Sequence, residues 1–253
     1  FTRRFAPRSF SEFLNKLFRG ASWSYVRWFY NMCDAVVAPT TTIKKVLMKN
    51  GIKKKIAVIP TGTHVHKKSI GSGLKKRYGL ENKKVILHVG RVTKEKNIDF
   101  ILKSLKSLLK EDYTLVITSD GPYRKTLEQT VNEEGIENVK FTGFVSEQAL
   151  RDYYSMADVF VMASATETQG LVLMDAAALG ISSVVLDVPV ISDFVKENKI
   201  GLVASKKNFA DKVKYLAEKK PSFSKGFRKV RRDYSIKKCV DNLLELYNNS
   251  YSQ

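Results

Sequence analysis

A turn rich in cations directly follows an apolar stretch at 85–89. It reads Gly90-Arg-Val-Thr-Lys-Glu-Lys-Asn97. Arg91 and Lys96 place two positive charges near the start of the next predicted helix, and Gly90 lets a ligand approach the backbone closely. Such a group can neutralise a diphosphate and stabilise the charge on a departing nucleoside diphosphate. The alternative is a solvated turn of basic residues.

A pair of carboxylates follows a later apolar stretch at 159–162. Glu167 precedes a predicted helix that starts near Gly170, and Asp175 lies eight positions beyond Glu167. Both acids can face one crevice, where carboxylates accept hydrogen bonds from sugar hydroxyls and the amides around Gly170 donate to an anionic or hydroxyl-bearing ligand. The alternative is that Glu167 caps the helix and Asp175 is a surface residue.

The elements that must position these groups alternate regularly from residue 83 onwards. Predicted strands lie at 85–89, 114–118, 139–141, 159–162, 183–186 and 201–203, and predicted helices at 97–110, 122–134, 146–155, 170–179, 191–197, 207–219 and 235–248. This pattern indicates βαβ units, a mainly parallel sheet and helices on both faces. Ligands of such sheets bind at the carboxyl ends of the strands, so the loops there should carry the chemistry.

The first part of the chain has a different pattern. Residues 10–31 combine aromatic and aliphatic residues at helical spacing with basic residues, which suits either a domain base or an anionic membrane surface. Short strands are predicted at 34–39 and 55–59. A helix at 43–50, capped by Thr40 or Thr41, separates them. The Gly/Ser/Lys-rich stretch at 66–76 has the composition of a linker.

Composition and charge exclude several classes of protein. The 253 residues are 43% hydrophobic and 27% charged, with only 14 Gly and 6 Pro, which excludes collagen, low-complexity disorder and acidic solvating tails. The net charge is +19. The charge is uneven, with +10 over residues 1–60, +9 over 61–125, −8 over 126–200 and +8 over 201–253. A protein that coats nucleic acid would more often be basic throughout, so the charge indicates a surface property around a separate site. No apolar run is long enough to span a bilayer, so any membrane contact should be peripheral.

The remaining reactive side chains suggest neither a metal site nor a disulfide framework. Cys33 and Cys239 lack metal-ligand spacing, which makes a reduced, cytosolic setting the default. His64-x-His66 lies in a Lys-rich stretch without a carboxylate partner, so these two histidines should be surface residues. His88 is expected to be buried or near the site and is assigned no role.

Five elements in a fixed order resemble the retaining glycosyltransferases of family 4. They are Asp34-Ala-Val-Val-Ala-Pro39 with Val58-Ile-Pro-Thr-Gly62, Gly90-Arg91 with Lys96, Asp120-Gly-Pro122, Val139-Lys-Phe-Thr-Gly-Phe-Val145, and the acidic pair. The resemblance runs from about Cys33 to the end of the chain. It implies the α/β GT-B fold, in which Rossmann-like parallel sheets carry helices on both faces and a nucleotide-sugar donor is held mainly by the C-terminal domain.

The resemblance also implies roles for individual residues. Arg91 and Lys96 would bind the donor diphosphate and assist its departure, and Glu167 would contact the transferred sugar. The other donor-binding residues would be Gly90, Gly143, Phe144, Val145, Thr168, Gln169, Gly170, Leu171 and Asp175, with 143–145 bordering the base and Asp175 taking the ribose hydroxyls. The family usually has Glu at the position of Asp175, so ribose recognition here could be looser or water-mediated. No metal or other cofactor is implied.

The resemblance further suggests how the chain divides. Residues 1–66 would be the remnant of an N-terminal acceptor-side domain, 67–82 a linker, 83–233 a complete nucleotide-sugar-binding domain, and 234–253 a helix that returns towards the N-terminal domain. Because the chain starts at Phe1 and looks truncated, we expect it to bind the donor but to turn over poorly by itself.

Three short sequence motifs favour one activity over its alternatives. Glu167-Thr-Gln-Gly-Leu171 is similar to the subgroup that glucosylates diacylglycerol, as are Ala38-Pro-Thr40 and Ile59-Pro-Thr-Gly62. We therefore expect transfer of a hexose, glucose from UDP-glucose, with retention to a lipid acceptor at an anionic membrane, at the inner face of the cell membrane and without a specific nucleic-acid partner. One alternative is a non-catalytic membrane- or nucleic-acid-binding module on a degenerate scaffold. Another is a GT-B enzyme with a soluble sugar or polyprenol acceptor.

Overall fold

The computed structural model of the chain describes residues 8–63 and 73–251, which form two compact units. The first unit comprises Phe1–Pro60 with Asp241–Gln253, and the second comprises Thr61–Val240. The His64-x-His66 pair lies outside the described residues.

The first unit contains a small parallel sheet. Its elements are α1 (Arg8–Met32), β1 (Ala35–Ala38), α2 (Thr41–Lys49) and β2 (Lys55–Val58), and β1 pairs with β2. The Thr40 side chain accepts a hydrogen bond from the Ile43 amide at 3.2 Å, so the predicted helix cap is confirmed at Thr40. A core of Val36, Ala38, Ile52 and Ile56 lies between these elements. The predicted amphipathic segment at 10–31 falls within a single helix, α1.

The second unit is built on a six-stranded parallel sheet. Its strands are β3 (Lys84–Val89), β4 (Tyr113–Thr118), β5 (Val139–Phe141), β6 (Val159–Met162), β7 (Ser183–Leu186) and β8 (Gly201–Ala204). Their order in the sheet is β5-β4-β3-β6-β7-β8, and every pairing is parallel. All residues of β4, β6 and β7 are buried, as expected for strands covered on both faces. The predicted parallel sheet is therefore confirmed.

Helices cover both faces of this sheet. They are α3 (Gly73–Arg77), α4 (Ile98–Leu105), α5 (Arg124–Glu133), α6 (Glu147–Met156), α7 (Leu171–Ala178), α8 (Ile191–Asn198), α9 (Phe209–Lys219) and α10 (Ser224–Asp233). The last helix, α11 (Ile236–Tyr251), has residues in both units. One core packs α4, α5 and α9 against the sheet face that carries Ile86 and Val161. The other packs α6, α7, α8 and α10 against the face that carries Leu87 and Phe160. The predicted layered α/β architecture is thus confirmed for this unit.

Three parts of the second unit differ from what the sequence predicts. The helix predicted at 97–110 ends at Leu105, and a 3₁₀ turn at Leu108–Lys110 follows, because the tighter turn buries both Leu108 and Leu109 before β4. The stretch expected to be a linker contains the short helix α3. The helix α10 has no counterpart among the predicted helices. In the described part of the chain, no helix is both long and apolar enough to cross a membrane.

Candidate active site

The order of the strands places two loops at the switch point of the sheet. From β3 the chain adds β4 and β5 on one side, whereas β6, β7 and β8 extend on the other side, so the direction reverses between β3 and β6. The loop at 90–97 follows β3 and the loop at 163–170 follows β6. Open parallel sheets bind ligands in the crevice at this point. The structure thus brings the predicted cationic turn next to the predicted acidic loop.

Hydrogen bonds hold the two loops together. The Ala165 amide donates to the Glu95 carbonyl at 2.8 Å, and the Asn97 side-chain amide donates to the Ala163 carbonyl at 3.2 Å. Asn97 adopts a left-handed conformation with φ 55°, which Asn tolerates better than most residues. The side chains that both loops carry are therefore presented from a fixed backbone.

Lys96 and Glu167 form an ion pair across the crevice. The Nζ atom of Lys96 lies 2.6 Å from Oε1 of Glu167, and the two side chains are only 22% and 14% exposed. Arg91 lies nearby on the same loop and is exposed, and Gly90 has φ 149°, in the region that favours glycine. The alternative that Glu167 caps the following helix is wrong, because Gly170 occupies the N-cap position. The site therefore combines a half-buried cation, its carboxylate partner and an accessible guanidinium.

The start of α7 offers backbone donors beside this pair. Gly170 adopts φ 78° at the N-cap, and no described side chain caps the helix there. The amides of its first turn precede the first intrahelical bonds, which Leu173 and Met174 donate to the Gly170 carbonyl. Thr168 and Leu171 are exposed at this end. Hence the predicted amide cluster exists, although its role stays a prediction.

Gln169 and Asp175 both contact the segment 61–63. Gln169 is buried, accepts a hydrogen bond from the Thr61 amide at 2.9 Å and donates one to the Thr61 carbonyl at 2.8 Å. Asp175 is half-buried and its carboxylate accepts a hydrogen bond from the Thr63 hydroxyl. The alternative of Asp175 as a plain surface residue is therefore wrong. Neither threonine was predicted as a site residue, because contacts between residues 108 and 112 positions apart leave no signal in the sequence.

The loop predicted to border the base lies at the carboxyl end of β5. The Ser119 amide donates to the Gly143 carbonyl at 2.8 Å, and Gly143 has φ 70°. Phe144 is 80% exposed, whereas Val145 packs against the core that contains α6. The Val92 amide in turn donates to the Asp120 carbonyl at 3.0 Å, so the loops after β3, β4 and β5 are linked in series.

A buried histidine lies beneath Gly90. The ring Nδ1 of His88 is 3.1 Å from the Val161 carbonyl, and a Cβ at Gly90 would be 3.9 Å from the ring Nε2. Burial lowers the pKa of His88 to about 4, so the imidazole is neutral near pH 7. Since Nδ1 then donates to the carbonyl, Nε2 is an acceptor, and no described residue bonds to it. In the same described part of the chain, no cluster of His, Cys, Asp and Glu is arranged to hold a metal ion.

Two family profiles match the chain. The profile of glycosyl transferases group 1 matches residues 74–234, which contain the six-stranded sheet and both loops of the site. The profile of glycosyltransferase family 4 matches residues 3–67.

Similar proteins include enzymes named for lipid acceptors. The chain is 31% identical over 187 residues to the alpha-monoglucosyldiacylglycerol synthase of Streptococcus pneumoniae, covering 70% of the chain and 42% of that enzyme. It is 27% identical over 214 residues to the enzyme of the same name from Acholeplasma laidlawii, covering 80% of the chain and 52% of that enzyme. The chain thus spans about half the length of these curated relatives.

Solved structures share the fold. Anabaena Alr3699/HepE in complex with UDP and glucose superposes with a TM-score of 0.82 at 17% identity, covering 90% of this chain and 67% of that one. A sucrose-phosphate synthase from Thermosynechococcus elongatus also gives 0.82, at 20% identity, covering 92% and 62%. The fold is therefore that of GT-B glycosyltransferases, as the family resemblance implied.

Proposed function

Because this chain belongs to the glycosyl transferases of group 1, we propose that it transfers glucose from UDP-glucose to a lipid acceptor with retention of configuration and without a metal ion. The carrying observation is the Lys96–Glu167 ion pair at the switch point of the sheet, with Arg91 exposed on the same loop as Lys96. The name of the pneumococcal relative and the UDP in the Anabaena structure support the lipid acceptor and the donor.

In this proposal the cations stabilise the leaving group. Arg91 and Lys96 bind the diphosphate oxygens, on which negative charge grows as the glycosidic bond to the donor sugar breaks. The Lys96 ammonium has three donors, so it can keep its bond to Glu167 while it binds phosphate. Glu167 fixes the ammonium and accepts a hydrogen bond from the transferred sugar. The acceptor hydroxyl attacks from the face that the diphosphate leaves and gives its proton to the departing phosphate oxygen, so the configuration is retained.

The surrounding groups orient the donor. The amides at 169–171 bind the sugar and phosphate, the loop at 143–145 borders the base, and Asp175 accepts hydrogen bonds from the ribose hydroxyls. Because hydrogen bonds across the loops after β3, β4, β5 and β6 link this edge of the sheet, these groups are preorganised, which lowers the cost of binding.

The first unit supports the lipid acceptor. On α1 a band of large side chains is exposed, comprising Tyr25, Trp28, Phe29 and Met32 at 48–65% exposure. Arg27 is exposed on the same helix, and residues 1–60 carry a net charge of +10. Aromatic rings suit the bilayer interface and basic residues suit anionic head groups. We therefore propose that the protein acts at the inner face of the cell membrane.

Calorimetric titration with UDP tests the donor site. Lys96→Ala should weaken binding about 10- to 100-fold, because a charge-assisted hydrogen bond contributes about 1.5–3 kcal/mol. Arg91→Ala should act in the same direction. Lys94→Ala is the matched control, since Lys94 is exposed in the same 3₁₀ turn, and it should change binding less than about 2-fold.

The outcomes separate the alternatives. No saturable binding of UDP, or binding that Arg91→Ala leaves unchanged, would refute the donor site. Tight binding of duplex DNA over a salt series without affinity for UDP would favour the non-catalytic module instead. If UDP binds, products from radiolabelled UDP-glucose with diacylglycerol vesicles, a soluble sugar or a polyprenol identify the acceptor. The anomeric configuration by NMR then tests retention.

A further inference from the structure

The segment 61–63 is held in place at both of its ends. Gln169 pairs with both backbone groups of Thr61, at 2.9 and 2.8 Å. The Thr63 amide donates to the Tyr234 carbonyl at 2.8 Å, and Thr63 forms an isolated parallel bridge with Ser235. The backbone of this segment is thus fixed against α7 and the turn before α11, all within the second unit.

This fixed backbone aims one hydroxyl at the acidic side chain of α7. Thr63 is buried, at 4% exposure, and its Oγ1 donates to Oδ1 of Asp175. A β-branched residue with a fixed backbone has few rotamers, so the hydroxyl has a defined direction. Such a bond restricts the rotation of the carboxylate, while its two oxygens have further lone pairs as acceptors.

The position of Asp175 on α7 suits a contact with a nucleoside. It lies four residues after Leu171, so it is about 6 Å along α7 from the amides proposed to hold the phosphate. The ribose hydroxyls of a nucleoside diphosphate lie beyond the phosphate, on the nucleoside side. A neighbouring pair of hydroxyls is the donor set that a carboxylate accepts well.

We propose that Thr63 is a positioning residue that orients Asp175 for the ribose hydroxyls and so sets a preference for ribonucleotides over deoxyribonucleotides. This inference rests on the proposed function, because it requires a nucleotide in the crevice. Thr63 touches Asp175 rather than the ligand. Without the hydroxyl, the carboxylate loses one bond that orients it, so part of the free energy of its bonds to the ribose offsets the cost of ordering it.

Calorimetric titration of the whole chain with UDP and 2′,3′-dideoxy-UDP tests the inference. The wild-type chain should bind UDP about 10-fold more tightly, since one or two hydrogen bonds to a carboxylate are lost with the diol. Thr63→Val, which keeps the shape and removes the hydroxyl, should weaken UDP binding about 5-fold and leave dideoxy-UDP nearly unchanged. Thr63→Ser, the matched control, should keep the wild-type preference.

A general loss of structure would weaken both ligands alike, so the ratio of the two affinities isolates the positioning role. If Thr63→Val does not fold, Thr63→Ala, which also removes the hydroxyl, carries the test and should lower the same ratio. A valine variant that keeps the preference, or binds UDP more tightly because Thr63 competes for the carboxylate, would overturn the inference. Neither result would argue against the diphosphate site. A wild-type chain that does not bind UDP would refute both the donor site and the positioning role of Thr63.

Discussion

Replacing His88 by Gln should remove a loss of stability that the wild-type chain suffers in mild acid. Burial lowers the pKa of His88 to about 4 in the folded chain, against 6.5 for an accessible imidazole. Between these values the unfolded chain binds a proton that the folded chain does not. The free energy of unfolding therefore falls as the pH drops below 6.5, and the full contribution is lost below about pH 4.

The size of the effect follows from the two pKa values. Each pKa unit corresponds to about 1.4 kcal/mol, so the full loss below pH 4 is about 3 kcal/mol. Near pH 5 the unfolded imidazole is almost fully charged and the folded one is mostly neutral, which gives a loss of about 2 kcal/mol. That is a large share of the total stability of a typical domain.

Urea unfolding followed by circular dichroism at about pH 8 and about pH 5 measures this loss. Carboxylates also titrate over this range, but they do so in both proteins, so the difference between the two pH dependences isolates His88. Gln cannot ionise, and any constant cost of the substitution cancels. NMR provides an independent check, because the His88 ring signals should not shift between these pH values. Parallel pH dependences within about 0.5 kcal/mol, or a ring that titrates near 6.5, would refute the reasoning.

Two further predictions concern stability and membrane binding. Asp158 has a side chain only 8% exposed and lies 2.8 Å from Lys220, so Asp158→Asn should cost about 2–3 kcal/mol in urea unfolding, against less than about 0.5 for the exposed Asp112→Asn. Burial tends to raise the pKa of Asp158, but its hydrogen bonds with Lys220 and the Val85 amide lower it on balance. The contribution of Asp158 to the free energy of unfolding should therefore persist above about pH 4 and vanish in stronger acid. Equal costs for Asp158→Asn and Asp112→Asn would contradict this role of Asp158. Trp28→Ala should reduce cosedimentation with phosphatidylglycerol vesicles several-fold. Tyr215→Ala, exposed on α9, should not, and equal losses would argue against a membrane face on α1.

The regular part of the fold could be predicted from the sequence because its signals are local. The limits of β5, β6 and β7 agree with the predicted strands. For β6 and β7 the reason is that short apolar runs between polar turns specify buried strands. In contrast, α10 is strongly basic and buries little beyond Gly226 and Val230. A Cβ at Gly226 would lie 2.3 Å from two carbonyl oxygens, those of Asn198 and Lys199. The helix therefore depends on a close backbone contact at this glycine, which the hydrophobic periodicity of the sequence does not indicate.

Only part of the candidate site could be predicted from the sequence. Residue type and position after a strand were enough to select Arg91, Lys96 and Glu167, because strand ends attract ligands in any parallel sheet. The ion pair between Lys96 and Glu167 joins residues 71 positions apart, and the contact of Thr63 with Asp175 joins residues 112 apart. The strand order β5-β4-β3-β6-β7-β8 creates the first contact. The packing of segment 61–63 against α7 creates the second.

By itself, the sequence determined that this chain is a βαβ domain with cations after one strand and acids after another. It also determined the uneven charge, because that depends on composition alone. Only the tertiary structure decided that these two loops share a crevice, that His88 is a neutral acceptor beneath Gly90, and that Asp175 is held by Thr63. The physical reason is that periodicity and turn chemistry act over a few residues, whereas strand order, burial and long-range hydrogen bonds arise from packing distant segments into one core.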